Sequence, residues 1–180
     1  MEKYNNYLFL DIDGVLISTQ SLIRKEQQIK KIKTLSSKVK SSSIIKDDFP
    51  ICPIAISNLN LIIDNDPHLK LIISSTLRIG YPLKTIKKYL KNKGFFFSHK
   101  IVDTTPIIDK NKREVEILNW LEHKKYNKVI VLDDNVLTFE NNNKFLYVRV
   151  NNLYGLSVKH SSKIIKFLTG NEINLPRVIS

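Results

Sequence analysis

Residues 8–16, LFLDIDGVL, constrain the fold of this chain more than any other stretch. Residues 7–10 form a short apolar run of the kind that a buried parallel strand uses, and Gly14 permits the tight reversal that ends such a strand. Asp11 and Asp13 follow the run directly. Because open α/β sheets bind ligands beyond the carboxyl ends of their strands, this pair is a candidate site.

Two carboxylates at the end of a strand suit phosphoryl chemistry. One of them can attack a phosphorus atom or hold a metal ion while its neighbour moves a proton. The alternative is structural, because Asp and Gly are ordinary residues of turns. The choice between the two depends on whether later strands also end in groups that can bind phosphate or metal.

A second apolar run, residues 69–73, ends in three hydroxyl residues and then an arginine. Ser74 and Ser75 can hold the non-bridging oxygens of a phosphoryl group through a hydroxyl and backbone N–H groups, and Arg78 can bind a phosphate with two parallel hydrogen bonds. The alternative is a strand followed by a Ser/Thr cap on the next helix.

A predicted helix over residues 112–124 begins with two cations, Lys112 and Arg113. Positive charge near a helix N-terminus opposes the macrodipole, so its presence there needs a reason. A site that must neutralise a phosphoryl group and a carboxylate nucleophile would supply one. We expect Arg113 to fill this role, with Lys112 as the alternative. Both could also be ordinary surface cations.

Another apolar run, residues 128–132, ends in the acid pair Asp133 and Asp134. Two neighbouring carboxylates repel each other unless a cation neutralises them. Hard oxygen ligands of this kind suit Mg²⁺, which takes one or two carboxylates together with waters and phosphate oxygens. As companions to Asp11 and Asp13, these residues are the predicted metal ligands.

The order of the runs predicts a doubly wound, mostly parallel α/β sheet with the site at the carboxyl ends of its strands. A further strand is expected at residues 145–150, and at least two of Phe95, Phe96 and Phe97 are expected in a core strand. Helices are predicted at residues 17–43, 55–63, 81–93, 112–124 and 158–168. In the helix at 112–124, Val115, Leu118 and Leu121 should share one face, with Ile117 and Trp120 beside them.

The chain is strongly basic, with 29 Lys and Arg against 17 Asp and Glu and a formal net charge of +12. Such an imbalance favours polyanionic partners, and nucleic acid is the first candidate. Residues 24–40 hold seven basic residues against one acidic one, and residues 84–100 hold six lysines and no acid. The basic segment at 24–40 could lie over a cleft entrance, or it could be only a solvated face. Abundant Lys, Asn and Ile could also record an AT-rich genome.

Length and composition favour a single domain over residues 1–180, with residues 17–48 as a small basic insert, cap-like or on the surface. The single cysteine, Cys52, can form neither an internal disulfide nor a Cys-based metal site, so a reducing compartment is expected. No apolar run approaches the roughly 18 to 20 residues that span a bilayer. We therefore expect a cytoplasmic protein without a membrane partner, and the sequence does not determine its oligomeric state.

The segment Asp11-Ile12-Asp13-Gly14-Val15 resembles the first motif of the haloacid-dehalogenase-like (HAD-like) phosphatases. Ser74, Arg113 and the pair Asp133-Asp134 resemble the second, third and fourth motifs of that superfamily. More narrowly, two segments resemble the HAD domain of Swiss-Army-knife RNA repair proteins: Ser74-Ser75-x-x-Arg78 and Arg113-x-x-Glu116-Ile117-x-x-Trp120-Leu121. Leu77 stands where that branch usually has Trp.

The resemblance implies a two-step phosphoryl transfer. Asp11 would attack phosphorus, and Asp13 would protonate the leaving oxygen and then activate water. Mg²⁺ would be held by Asp11, by the backbone carbonyl of Asp13, and by Asp133 with Asp134. Ser74, the Ser75 backbone and Arg113 would hold the phosphoryl group, and Ser75, Arg78 and Lys112 are the predicted substrate-binding residues.

The expected substrate is a phosphate at a nucleic-acid end, RNA before DNA, with the 3′ or 5′ end left open. A phosphatase for a small metabolite or a phosphoprotein is the alternative. A third possibility is a non-catalytic nucleic-acid-binding module on a decayed phosphatase fold, which the complete set of predicted carboxylates disfavours.

Overall fold

The computed structural model describes residues 4–35, 49–108 and 112–171. Five strands form one parallel sheet: β1 (Asn6–Leu10), β2 (Leu69–Ile73), β3 (Ile101–Thr104), β4 (Val129–Asp133) and β5 (Phe145–Arg149). The helices are α1 (Thr19–Leu35), α2 (Pro53–Asp64), α3 (Leu77–Gly80), α4 (Leu83–Asn92), α5 (Arg113–Leu121) and α6 (Val158–Thr169). A 3-10 turn, Ser98–Lys100, precedes β3.

The strand order is β3-β2-β1-β4-β5, so β1 lies at the centre. Leu8 of β1 pairs with Leu71 of β2 on one side and with Ile130 of β4 on the other. The chain builds the sheet outward from β1 to β3 and then returns to the opposite side of β1 for β4. Such a reversal of strand order opens a crevice at the carboxyl ends of the two central strands.

Side chains of β1 alternate between the two faces of the sheet, as the pleat of a strand requires. Leu8 and Leu10 join the larger apolar cluster, which includes buried residues of α2 and α6. Tyr7 and Phe9 join a second cluster with α5, where both rings meet Trp120 edge to face at centroid distances of 5.0 and 5.4 Å. Helices thus cover both faces, and the predicted doubly wound α/β fold is confirmed.

Two local predictions are wrong. Residues 95–97 form a turn after Gly94 rather than a strand, with Phe95 fully buried and Phe96 78% exposed. The strand begins only at Ile101, where its register with Leu71 of β2 starts. An apolar run of three residues does not distinguish a strand from a buried turn.

The buried face of α5 also differs from the predicted one. Ile117, Trp120 and Leu121 are buried, whereas Val115 and Leu118 are 43% and 55% exposed. Apolar residues lie on both sides of this short helix, so their spacing alone does not select the face. The aromatic contacts of Trp120 with β1 select it.

The helix predicted over residues 17–43 is observed as α1 from Thr19 to Leu35, two residues later than predicted, and residues 36–43 lie outside the described residues. The cap-like or surface role of residues 17–48 remains a prediction. Within the described parts of the chain, no helix is both long and apolar enough to cross a membrane.

Candidate active site

Three carboxylates meet at the carboxyl ends of β1 and β4. Asp11 directly follows β1, Asp133 ends β4, and Asp134 comes next. One oxygen from each lies within 4.8 Å of the others, which makes these residues a group able to hold a metal ion. Asp11 is 3% exposed and Asp133 is 1% exposed, so the two acids are held out of bulk water.

Gly14 shapes the turn after the first carboxylates. Its φ is +74°, a region that favours glycine, and a Cβ there would lie 2.3 Å from Oδ2 of Asp134. The Gly14 N–H donates to the carbonyl of Ile17 at 2.9 Å, which closes the turn. Glycine therefore lets the loop after β1 pack directly against the third carboxylate.

Arg113, the first residue of α5, reaches two of the three acids. Its Nη1 lies 3.1 Å from Oδ2 of Asp11 and 3.3 Å from Oδ2 of Asp133, and it also donates to the carbonyl of Ser74. Its guanidinium thus joins the ends of three strands, which accounts for a cation at the start of a helix. Lys112 lies exposed just before the helix. Arg113 forms the ion pairs with the two buried acids, and this favours Arg113 over Lys112 for the predicted role.

Two serines after β2 lie beside the carboxylates. The Ser74 N–H donates to the carbonyl of Leu10 at 2.9 Å, and the Ser75 hydroxyl interacts with the Asp11 carboxylate. The Ser74 hydroxyl oxygen is buried and has no hydrogen-bond partner among the described residues. Leaving such a group unsatisfied costs about 1–3 kcal/mol, so an oxygen-bearing ligand at this position would relieve it.

Among the described residues, two of the three clustered carboxylates, Asp11 and Asp133, share ion pairs with the Arg113 guanidinium. Burial raises the pKa of Asp11 to about 7, against the opposing effect of Arg113 and with a further contribution from Asp133. Burial and the neighbouring Asp133 also raise the pKa of Asp134. Oδ2 of Asp133 accepts no hydrogen bond from the described residues. A divalent cation that prefers oxygen ligands fits this donor set and its excess negative charge.

Asp13 differs from the other predicted metal residues because its carboxylate lies outside the group of three. The side chain is exposed, and its Oδ2 accepts a long hydrogen bond of 3.4 Å from the Thr76 hydroxyl. A carboxylate at the open side of the crevice can exchange protons with a leaving group or with water.

Arg78 lies in a different environment from the one that its predicted phosphate contact requires. Its side chain is 4% exposed and forms an ion pair with Glu116, which is equally buried. The guanidinium also donates to the carbonyls of Ser75, Thr105 and Pro106, at 2.6, 3.1 and 3.2 Å. These contacts use four of its five N–H groups, so Arg78 holds the loops after β2 and β3 against α5.

Glu116 holds α5 in place through contacts that the sequence does not predict. Its second oxygen accepts a hydrogen bond of 3.1 Å from the Ile108 N–H, so one carboxylate ties α5 to two loops. Glu116 stands three residues after Arg113 and therefore one turn along the same helix. That spacing is visible in the sequence, but the pairing of Glu116 with a residue 38 positions earlier is not.

A parallel sheet with an Asp-x-Asp-Gly turn after its central strand, an acid pair after the neighbouring strand and an arginine between them defines a HAD-like domain. A family model described as the HAD domain in Swiss Army Knife RNA repair proteins matches residues 7–161, and the chain belongs to this family. No curated protein and no solved structure matches it significantly. Membership confirms the resemblance drawn from the motifs and implies hydrolase or phosphatase activity in general.

Proposed function

We propose that this protein is a Mg²⁺-dependent phosphatase that removes phosphate from RNA ends through an aspartyl-phosphate on Asp11. The observation that carries the proposal is the contact of the buried Asp11 carboxylate with Arg113, beside Asp133 and Asp134. A nucleophile, a cation and further oxygen ligands thus share one water-poor crevice, where electrostatic interactions are strong.

In the first step, an Asp11 carboxylate oxygen forms a bond to phosphorus and the phosphate ester bond breaks. Asp13 gives its proton to the leaving oxygen, which departs as the free hydroxyl of the nucleic acid. The Arg113 guanidinium faces the charge that develops on the phosphoryl oxygens. The Ser74 hydroxyl, which has no hydrogen-bond partner among the described residues, supplies a hydrogen bond to one of them.

In the second step, Asp13, now ionised, takes a proton from a water molecule. The water oxygen bonds to phosphorus, the bond to Asp11 breaks, and inorganic phosphate leaves with Asp11 restored. The exposed position of Asp13 suits both proton transfers, because the leaving group and the water approach from the open side of the crevice.

Asp11, Asp133 and Asp134 would hold Mg²⁺ with the backbone carbonyl of Asp13, as the family resemblance implies. The ion would neutralise charge on the phosphoryl oxygens and favour the ionised form of Asp11. Arg78 and Glu116 act indirectly, by holding α5 and with it Arg113.

Two observations support a nucleic-acid end as the substrate. The family is named for RNA repair proteins, and the chain has a formal net charge of +12. Basic surfaces attract polyanions over long distances, and a strand end presents several phosphates where a metabolite presents one.

The test is a panel of phosphorylated substrates with Mg²⁺ and with EDTA. It compares single-stranded RNA and DNA phosphorylated at the 3′ or the 5′ end with sugar phosphates, a phosphopeptide and a generic aryl phosphate. We expect Mg²⁺-dependent release of inorganic phosphate, with the highest kcat/KM on an RNA end. A higher kcat/KM on sugar phosphates or the phosphopeptide would contradict the RNA assignment, and no release from any substrate would contradict the phosphatase.

A further inference from the structure

A groove runs from the candidate active site along α1. Its near part has a volume of about 230 Å³ and is lined by the turn after β1, including Asp13 and Gly14, and by Asp134. Its far part has a volume of about 330 Å³ and lies further along α1. Pro50 lines both parts, so the two adjoin there and together follow α1.

The start of α1 and the segment at residues 49–53 form the facing walls. Thr19 and Leu22 line the near part, and the far part is lined by Ser21, Arg24, Lys25 and Gln28. The latter four have the spacing that keeps side chains on one face of a helix. With a rise of 1.5 Å per residue, the wall from Thr19 to Gln28 extends about 13 Å, which is too long for a single phosphate.

The charge of the groove changes along its length. The near part contains the carboxylates of Asp13 and Asp134, where the candidate metal site begins. Among the described residues, the far part is lined by three cations, Arg24, Lys25 and Lys93, and by no carboxylate, and Nζ of Lys93 also lies 5.6 Å from the centroid of the Tyr89 ring. Lys93 comes from the end of α4, so cations from two separate helices converge on one space. Such a space suits the phosphates of a backbone that continues beyond the reacting end.

Between the acids and the cations, the groove offers apolar surface. Leu22 is 46% exposed there, and Phe49 and Pro50 lie on the opposite wall. The Phe49 ring is held edge to face by Tyr81 and Tyr89, at centroid distances of 5.3 and 5.2 Å. A fixed aromatic ring beside a basic groove can support a nucleobase, whose flat face stacks without regard to sequence.

We propose that this groove binds the single-stranded end of an RNA substrate. The terminal phosphate lies at Asp11, the terminal nucleoside lies against Leu22, Phe49 and Pro50, and the following phosphates meet the three groove cations, Arg24, Lys25 and Lys93. The proposal rests on the proposed function and adds to it a strand path and a length preference. A mononucleotide or sugar phosphate ends before the cations, so it gains nothing from them.

The experiment compares two triple variants with the same change in net charge. The groove variant is Arg24→Gln/Lys25→Gln/Lys93→Gln, and the control variant is Lys144→Gln/Lys159→Gln/Lys163→Gln, whose three lysines are exposed and do not line the groove. Each is combined with Asp11→Asn to prevent turnover. Fluorescence anisotropy then measures binding of a single-stranded RNA of roughly ten nucleotides, phosphorylated at both ends, as the salt concentration is raised.

We expect the groove variant to bind the RNA at least about tenfold more weakly than the parent, while the control variant stays within about twofold. Because each phosphate contact on a single strand contributes roughly 0.7 to the log–log salt slope, loss of three contacts should reduce the slope by roughly 2. Equal weakening by the two variants would overturn the groove and assign the effect to net charge. Unchanged binding by the groove variant would overturn it as well.

Turnover separates this proposal from the proposed function. With Asp11 intact, the groove variant should lose at least about tenfold more kcat/KM on phosphorylated RNA than on an aryl phosphate, and the control variant should keep both activities. Equal loss on both substrates would contradict the strand path while leaving the phosphatase intact. Absence of turnover in the parent, together with groove-dependent RNA binding, would contradict the phosphatase and leave the groove standing. Thermal unfolding of each variant verifies that it is folded.

Discussion

Asp11 must meet two opposing requirements. A carboxylate nucleophile has to be ionised, yet burial raises its pKa to about 7. Arg113 opposes that shift from 3.1 Å away, and a divalent cation held with Asp133 and Asp134 would oppose it further. The proposed nucleophile can therefore be both buried and ionised only where cations offset the effect of burial on its pKa.

Asp11→Asn removes the attacking charge and keeps the shape of the side chain. We expect phosphate release from every active substrate to fall by at least about 10²-fold, because the proposed covalent step depends on the Asp11 carboxylate as its nucleophile. Steady-state release of inorganic phosphate measures the loss, and circular dichroism verifies the fold. Turnover within about tenfold of the parent would contradict the aspartyl-phosphate mechanism.

Arg78 and Glu116 form a buried pair whose role is structural in this geometry, with both side chains 4% exposed. Arg78→Met should lower the free energy of unfolding by about 3–5 kcal/mol, because it leaves the Glu116 charge buried without its partner. Urea unfolding measures the change, and the double variant Arg78→Met/Glu116→Leu should recover much of it. Unchanged stability together with a raised KM would instead support the direct contact between Arg78 and phosphate that was predicted from the sequence.

At the scale of elements, the helix starts organise the molecule. The first turn of α5 carries Arg113 to the acids and Glu116 to the loop braced by Arg78. At the start of α6, Nδ1 of His160 accepts a hydrogen bond of 3.1 Å from the Ser157 N–H. Each contact gives a partner to a backbone N–H group or a charged side chain that would otherwise be unpaired at the end of a helix or strand.

The α6 contact makes stability depend on pH. Burial lowers the pKa of His160, with a smaller effect from Lys163, and the neutral imidazole is the form that accepts the hydrogen bond. As pH falls, the unfolded chain therefore takes up a proton at His160 before the folded protein does. The stability that His160 contributes is complete above its unfolded pKa of about 6.5 and is lost as pH falls below that value.

Urea unfolding near pH 7.5 and near pH 5 tests this for the parent and for His160→Gln. We expect the difference in stability between parent and variant to shrink at the lower pH. The difference between parent and variant cancels the contributions of the other titrating groups. One of these is Asp11, whose raised pKa makes the stability of both proteins fall as pH rises from about 4 to 7. A difference that does not depend on pH would contradict the role of His160.

At the scale of the whole molecule, the site exists only because distant parts of the chain converge. Asp11 and Asp133 are brought side by side by the parallel pairing of β1 with β4, and β2 adds the serines. A ligand that binds all of these groups binds only the folded protein, so it must stabilise the fold.

Mg²⁺ should therefore raise the unfolding temperature of the parent in the absence of substrate. At a concentration of about 100 times Kd the stabilisation is about 2.7 kcal/mol. Asp133→Asn should abolish most of this shift, and Asp64→Asn, at an exposed acid on α2 outside the candidate metal group, should retain it. Calorimetry with Mg²⁺ and with EDTA measures the effect, and an equal shift in both variants would contradict the assigned ligands.

The sequence by itself determined the features that depend on neighbouring residues. Apolar runs ended by Asp11, Ser74 and Asp133 predicted the strands and their polar ends, because a buried strand and the turn that stops it are local patterns. The four motifs then predicted the family. Arg113 could be preferred over Lys112 by resemblance, but local chemistry alone left both open.

Tertiary structure decided the features that depend on contacts across the chain. The pairing of Arg78 with Glu116, the exposure of Phe96 and the face that α5 buries all depend on partners that sequence spacing does not identify. The groove between α1 and residues 49–53 likewise arises from segments whose distance along the chain says nothing about their distance in space. The physical reason is that backbone and apolar preferences act over a few residues, whereas ion pairs, burial and grooves form only when the sheet brings distant segments together.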